Sequence, residues 1–391
     1  MNRREFLRSA LAVGAAALAT GCAPAAAPAP SPTQAAKATQ APKPAATAAP
    51  AATTAPAATQ APAATKAAAL PEKKDLVIGL NVDLSLSHAT IAVVKGWWAE
   101  AGFTGKLETP TFTAGALAGE ALRAGQLDLW IPGNVPPVSL RHNGLPVVIL
   151  GTGSINANLD KLIVNPKSNI KNATDLYGKK IGLVEGSTAS VDFWSLCREY
   201  KLDASKISVV NLQPPDQVSS FLSGAIDGFI CWEPWPWQAQ QKMPDAVIAH
   251  TGTVSNFADN KGAKVRICYN RSLICLSEQF VKTMPNATMA IMRTMVRAQK
   301  FVYDPANKEE TIKLFSEYHK LPIEQNRATW DSFGFTGVMD ESYLVDMKMT
   351  TDFLAETGRI KNPVDVLTYT YTDPLKAIEP AWVKLEGKWK P

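Results

Sequence analysis

The sequence predicts two α/β lobes, each a mixed sheet flanked by helices, facing each other across a ligand cleft. Three observations carry that prediction. Residues 116–130 (A-L-A-G-E-A-L-R-A-G-Q-L-D-L-W) and 217–232 (Q-V-S-S-F-L-S-G-A-I-D-G-F-I-C-W) share one design: a helix bearing Leu, then Gly-x-x-Asp, then an apolar strand. The copies lie roughly 100 residues apart, too far for a solenoid and suited to two related lobes. Both strands empty into Pro-containing loops, Pro132-Gly133-Asn134 and Glu233-Pro234-Trp235. Ligands of open α/β sheets sit beyond the carboxyl ends of the strands, where these loops would face each other.

The chain begins with an address and a tether. Asn2-Arg3-Arg4-Glu5-Phe6-Leu7-Arg8 resembles a twin-arginine export signal, with Asn in place of the usual Ser or Thr and Arg in place of the closing Lys. Residues 9–18 are Ala-rich and mildly apolar, too short to span a bilayer and right for the apolar part of a signal. Leu18-Ala19-Thr20-Gly21-Cys22 resembles a bacterial lipobox, with Cys22 the residue that receives lipid. Ordinary cleavage would instead leave a soluble protein; the segment that follows decides for the anchor. Residues 23–72 are mostly Ala, Pro, Thr and Gln, broken by Pro every few positions and with little to bury. Such a segment builds no core and holds a domain away from a surface, which serves a purpose only if its end is anchored. Six of the 40 basic residues and one of the 35 acidic ones lie in 1–70, leaving 34 of each in the body. The net charge of +5 therefore belongs to the leader, and the neutral body carries no nucleic-acid surface.

The body supplies the lobes in order. Strands are expected at 76–80, 107–112, 127–131 and 146–150, with helices from Ser87 as N-cap through Trp98 and over 114–123. A crossing at 162–165 leads to the second lobe, where strands are expected at 180–184, 207–212, 228–231 and 246–249. Val218, Phe221 and Leu222 recur at helical spacing until Gly224 ends the helix. A second crossing at 272–276 returns the chain to the first lobe and to helices over 287–303, 308–319, 323–333 and 341–357. The lobes are thus bounded as 73–163 plus 273–391 and as 164–272.

The stretch after residue 231 carries three Trp (Trp232, Trp235, Trp237) and two Pro (Pro234, Pro236). Pro stiffens the loop and pushes Glu233 and Trp235 toward extended backbone. Taken singly, each Trp is explained by capping a core; taken together they read as a binding wall. Ser187 and Thr188, between a strand and a helix, offer hydroxyls and free helix-start amides to an anion, although Ser or Thr there also serves as a plain cap. Glu185 would repel an anion if its carboxylate turned inward. Ser85, Ser87 and His88 follow the first strand, and Gly133 and Asn134 a later one. His88 can donate to an oxyanion or serve a structural role.

D-L-Y-G-K-K-I-G-L-V-E-G-S at 175–187, A-L-x-x-G-x-x-D at 121–128 and G-A-I-D-G-F-I-C-W-E-P-W at 224–235 resemble, in joint order and spacing, the solute-binding proteins of ABC importers. The likeness is to the nitrate/sulfonate/taurine type and spans 74–380. It implies a type II periplasmic-binding fold and one small ligand in the cleft, touched by Ser85, Ser87, His88, Gly133, Asn134, Ser187, Thr188, Trp232, Glu233 and Trp235. It further implies a monomer that delivers to a permease and ATPase outside the cytoplasm, in the periplasm or on the outer face of the membrane. With hydroxyls on one wall, indoles on the other and no Lys or Arg in the loops, a small organic anion such as a sulfonate is expected ahead of nitrate. A pyrimidine or thiamine-precursor ligand, or a signalling receptor, are the alternatives.

Enzyme signatures are lacking. There is no G-x-x-x-x-G-K-[ST] and no H-E-x-x-H, and His88, His142, His250 and His319 are scattered. Gly151-Thr152-Gly153-Ser154-Ile155 lacks the second Gly of a nucleophile elbow. A related fold hosts thiamine-pyrimidine enzymes, but no Cys-rich cofactor motif supports that here, so neither cofactor nor metal is expected. Cys197, Cys231, Cys268 and Cys275 show no C-x-x-C spacing; a bridge and a core role both remain open.

Overall fold

A computed structural model describes residues 69–391 apart from Cys268. The export signal, Cys22 and most of the tether lie outside the described residues. The stretch expected as one first strand forms as β1 (Leu76–Val77) and β2 (Leu80–Asn81), with Ile78 between them bridging Leu129 in parallel. β3 (Leu107–Glu108) and β4 (Thr111–Phe112) run parallel to β1 and β2. Pro110, which has no N–H, interrupts what was expected as a single strand. β5 (Val147–Asn156) is twice the expected length and lies in the same half as these.

The second half contains β6 (Asp160–Val164), β7 (Lys180–Leu183), β8 (Ser208–Asn211), β9 (Gly228–Trp232) and β10 (Val247–Thr251), and β11 (Asn270–Ser277) returns to the first. The two sheets have one order. In the first, β3/β4 flank β1/β2, residues 129–130 lie on the other side, and antiparallel β11 and then β5 follow. In the second, β8 flanks β7, β9 lies on the other side, and antiparallel β6 and then β10 follow.

The repeated Gly-x-x-Asp explains part of this likeness. Gly125 (φ +71°) and Gly224 (φ +76°) each end a helix in the left-handed conformation that glycine adopts without penalty. The Asp that follows then clamps a parallel strand of its lobe, β1 in the first and β7 in the second. Asp128 accepts from the Val77 amide (2.9 Å) and donates its own amide to the Val77 carbonyl (2.9 Å). Asp227 makes the same pair with Lys180 (2.8 and 2.9 Å).

The chain leaves the first sheet between Asn156 and Asp160 and returns between Thr251 and Asn270. Residues 162–165 and 272–276, read from the sequence as the crossings, instead lie in or against strands with partners on both sides. Their apolar content marks ladder interior, not a hinge.

The helices follow the periodicity closely, as at Gly115–Arg123, Pro214–Ser223, Pro285–Tyr303, Lys308–His319 and Glu341–Glu356. Ser87 is not the N-cap of its helix: a single-turn helix over Leu84–Leu86 precedes it, capped by the Asp83 carboxylate, and helix Ser87–Val94 begins after Leu86. Gly96 (φ +71°) breaks the continuation before Trp97–Glu100. The Trp-rich stretch is not an extended loop beyond Pro234: Trp235–Lys242 is helical. Pro236 sits in its first turn, where a missing N–H costs nothing, and Glu233 Oε2 accepts the Trp237 amide (3.0 Å). Phe221 and Phe229, both fully buried, meet edge-on at 5.3 Å and anchor the second lobe's core. Cys197, Cys231 and Cys275 are buried free thiols. Among the described residues no helix is long and apolar enough to cross a membrane.

The clamps carry a testable cost. Asp128→Ala and Asp227→Ala should each lower unfolding stability by about 1–3 kcal/mol, the scale of a hydrogen bond to a charged group. Urea unfolding measures this, and midpoints equal to wild type would show the clamps to be idle.

Candidate functional site

A cavity of about 50 Å³ lies where the carboxyl ends of the two sheets' parallel strands converge. The turn after β2 contributes Asn81, Asp83, Ser85 and Leu86, and the segment after Trp130 contributes Ile131, Pro132 and Gly133. From the other half come Ser187, Thr188 and Trp232; Leu159, Asn270 and Ser272 close it from the side of the crossings. The volume accommodates a few water molecules or a small polar group.

Of the residues expected from the sequence, Ser85, Gly133, Ser187, Thr188 and Trp232 meet at this cavity. Ser187 and Thr188 are the N-cap and first residue of the helix Thr188–Glu199, so its free amides point from their side of the cavity. The Ser187 hydroxyl does not cap the helix but donates to the Val184 carbonyl (2.7 Å). The Thr188 hydroxyl makes no hydrogen bond to a described residue, and it faces Gly133 across the cleft. A Cβ placed on Gly133 would lie 2.8 Å from Thr188 Oγ1 and 3.3 Å from Asn270 Oδ1, so glycine is what permits this approach. Trp232 is 6% exposed and its buried Nε1–H has no partner among the described residues.

The other expected residues do not line the cavity. Asn134 is spent on backbone, donating to the Tyr269 carbonyl (2.9 Å) and accepting the Arg271 amide (2.9 Å). Glu233 pairs with Lys161 and caps the next helix. Trp235, carried in that helix, packs against a core cluster that includes Phe221, Phe229 and Trp330. Ser87 and His88 are fully buried in the helix after the turn, and burial holds the imidazole neutral, its pKa pushed down to about 3. Gly153 lets β5 pass over that ring, since a Cβ there would come within 2.8 Å of it. Glu185 turns away from the cavity, is exposed, and faces Arg359 at 3.7 Å.

The sequence reading missed Asp83, Asn270 and Asp160. The first follows β2 directly, a position that signals a binding loop; the others become neighbours only through folding. Asp83 Oδ1 accepts from the Ser85 amide (3.0 Å) and hydroxyl, and burial still pushes its pKa up to about 6. Behind the wall, Asn270 Nδ2 donates to Asp160 Oδ2 (2.9 Å), while Asp160 Oδ1 and both Asp192 oxygens are buried with no partner among the described residues. Burial, together with the charge of Asp83, pushes Asp160 up to about 7, and burial with Asp160 beside it raises Asp192 well above the usual range. Among the described residues no group of three or more His, Cys, Asp or Glu is arranged to hold a metal ion.

Residues 69–316, well over half the chain, match the NMT1-like family. The chain belongs to that family. A Bacillus subtilis (strain 168) protein, provisionally named an aliphatic sulfonates-binding protein, is 29% identical over 74% of this chain and 84% of its own length. Among solved structures, the alkanesulfonate-binding protein SsuA from Xanthomonas axonopodis pv. citri, bound to MOPS, superposes with a TM-score of 0.63 at 19% identity. That match covers 78% of this chain and all of SsuA. The desulfurization enzyme DSZB shares the fold more distantly, with a TM-score of 0.55 at 14% identity over 79% of this chain and 99% of its own. The fold of this NMT1-like protein is thus the type II periplasmic-binding fold, and its likeness to the solute-binding proteins of ABC importers extends from short strings to most of the chain.

The buried acids predict a pH-dependent stability. A carboxyl whose pKa rises on folding binds its proton more tightly in the native state, so stability falls as pH climbs from about 4 through about 7. Asp160→Asn removes that titration. It should be more stable than wild type at pH 8, by an amount on the order of 4 kcal/mol, and no more stable at pH 4. An equal offset at both pH values would mean that Asp160 stays ionised in the native protein.

Proposed function

We propose that this protein is the membrane-anchored, extracytoplasmic solute-binding component of an ABC importer, and that it closes its two lobes on a small organic anion of the sulfonate or taurine type. The observation that carries the reading is the cavity between the strand ends, where a helix start, the Thr188 hydroxyl and Trp232 gather. Such donors suit an oxyanion held without a formal positive charge. The chain's relatives include proteins named for binding aliphatic sulfonates, which supports an import role and a location outside the cytoplasm. Ligand passes from the cleft to a permease and its ATPase, and the protein itself performs no chemistry.

Closure turns on residues 157–159 and 252–269, where the chain changes sheets, with the lobes otherwise divided as the sequence suggests. Cys22 carries the lipid, and residues 23–72 span the distance to the body.

Two experiments test this reading. In thermal shift against a panel of organosulfonates, the true ligand stabilises by RT ln(1 + [L]/Kd). Thr188→Ala should weaken its binding by about 0.5–3 kcal/mol, the range for a neutral to a charge-assisted hydrogen bond. Unchanged affinity in a folded Thr188→Ala protein would move the site elsewhere. For the anchor, Cys22→Ser should shift the protein from the membrane to the soluble fraction with ligand affinity intact; equal membrane retention would remove the lipid from the account.

A further inference from the structure

A cavity built for a simple anion is lined by cations or by N–H and O–H donors. This one also presents a carboxylate. Asp83 is 4% exposed and, among the described residues, is the one charged side chain lining the cavity. Ser85 occupies Oδ1 twice, whereas no described residue donates to Oδ2. Behind the wall, Asp160 next to Asn270 and Asp192 near it hold their protons more tightly than usual, which leaves Asp83 as the carboxylate facing the cavity. The cations on the flanking strands are committed elsewhere, Lys161 in β6 to Glu233 and Arg271 in β11 to Asp346 (2.7 Å) and Ser342 (2.6 Å). An anion with no positive group would enter against Asp83 with no cation to offset it.

The same lining also offers donors, the Thr188 hydroxyl and the amides at the start of its helix. A cavity lined by both donors and a carboxylate acceptor matches a molecule that carries both signs.

We propose that Asp83 determines specificity, its open carboxylate oxygen receiving a protonated amine, so that the cleft takes small amino-bearing anions in preference to plain alkanesulfonates or nitrate. This rests on the reading of the cleft as a small-anion site and narrows it. An ammonium group supplies the partner that Asp83 loses when water is expelled, and Ser85 holds the carboxylate in place to meet it. Burial raises the Asp83 pKa only to about 6, so the group is largely ionised at neutral pH and ready to accept.

The test compares ligands that differ only in the amine. The full-length protein and its Asp83→Asn variant are titrated calorimetrically with 2-aminoethanesulfonate against ethanesulfonate, and with 3-aminopropionate against propionate. In wild type the aminated member of at least one pair should bind about 10- to 100-fold more tightly, the equivalent of one hydrogen bond to a charged group. Asp83→Asn should erase that difference and leave the plain anion's affinity equal or higher. The wild-type comparison stands even if the variant does not fold. Plain anions that bind wild type as tightly as their aminated partners would overturn the role of Asp83 and leave the small-anion reading standing. Failure of all four compounds to bind would overturn both.

Discussion

The antiparallel ladder of β5 and β11 runs through the middle of the first lobe, from Val147 paired with Ser277 to Asn156 paired with Asn270. Nearly every residue in it is buried, so its backbone groups must find partners inside the protein. Each strand supplies them to the other, Trp130 pairs with Cys275, and the Gln299 side chain donates to the Thr152 carbonyl (2.7 Å). Because the two strands end side by side, the chain's two passages to the second sheet leave from one place. That is why Leu159 and Asn270, far apart in sequence, stand together at the cavity.

The acids of this protein divide by what surrounds them. Asp128 and Asp227 look alike in sequence and act alike in the fold, each satisfying a strand amide that would otherwise have no partner. Asp83, Asp160 and Asp192 have no such symmetry. Asp83 lines the cavity, Asp160 and Asp192 stand behind its wall, and burial raises the proton affinity of all three. A carboxylate held this way is costly to the fold, and the cavity is where a ligand can offset that cost.

Much of the cleft was legible because strand-end loops announce themselves locally. Ser85, Gly133, Ser187, Thr188 and Trp232 each follow an apolar run directly, and a loop at a strand's carboxyl end has few places to go. Asn134 and Glu233 stand in the same loops yet lie off the cavity, since sequence does not say whether a polar side chain turns to a ligand or back to its own backbone. Trp235 lies off it for a related reason: Pro236 reads as a loop stiffener, whereas a Pro in the first turn is compatible with a helix.

By itself the sequence determined the two-lobed α/β plan, the Gly-x-x-Asp turn in each lobe, most helix boundaries and the neutrality of the body. These follow from periodicity, glycine geometry and composition, which act over a few residues at a time. The tertiary structure alone decided where the chain changes sheets, which side chains share the cavity, and that a carboxylate is among them. Those outcomes depend on contacts across more than a hundred residues, such as the side-chain hydrogen bond from Asn270 to Asp160. They depend also on the loss of water around groups that any local reading treats as solvated.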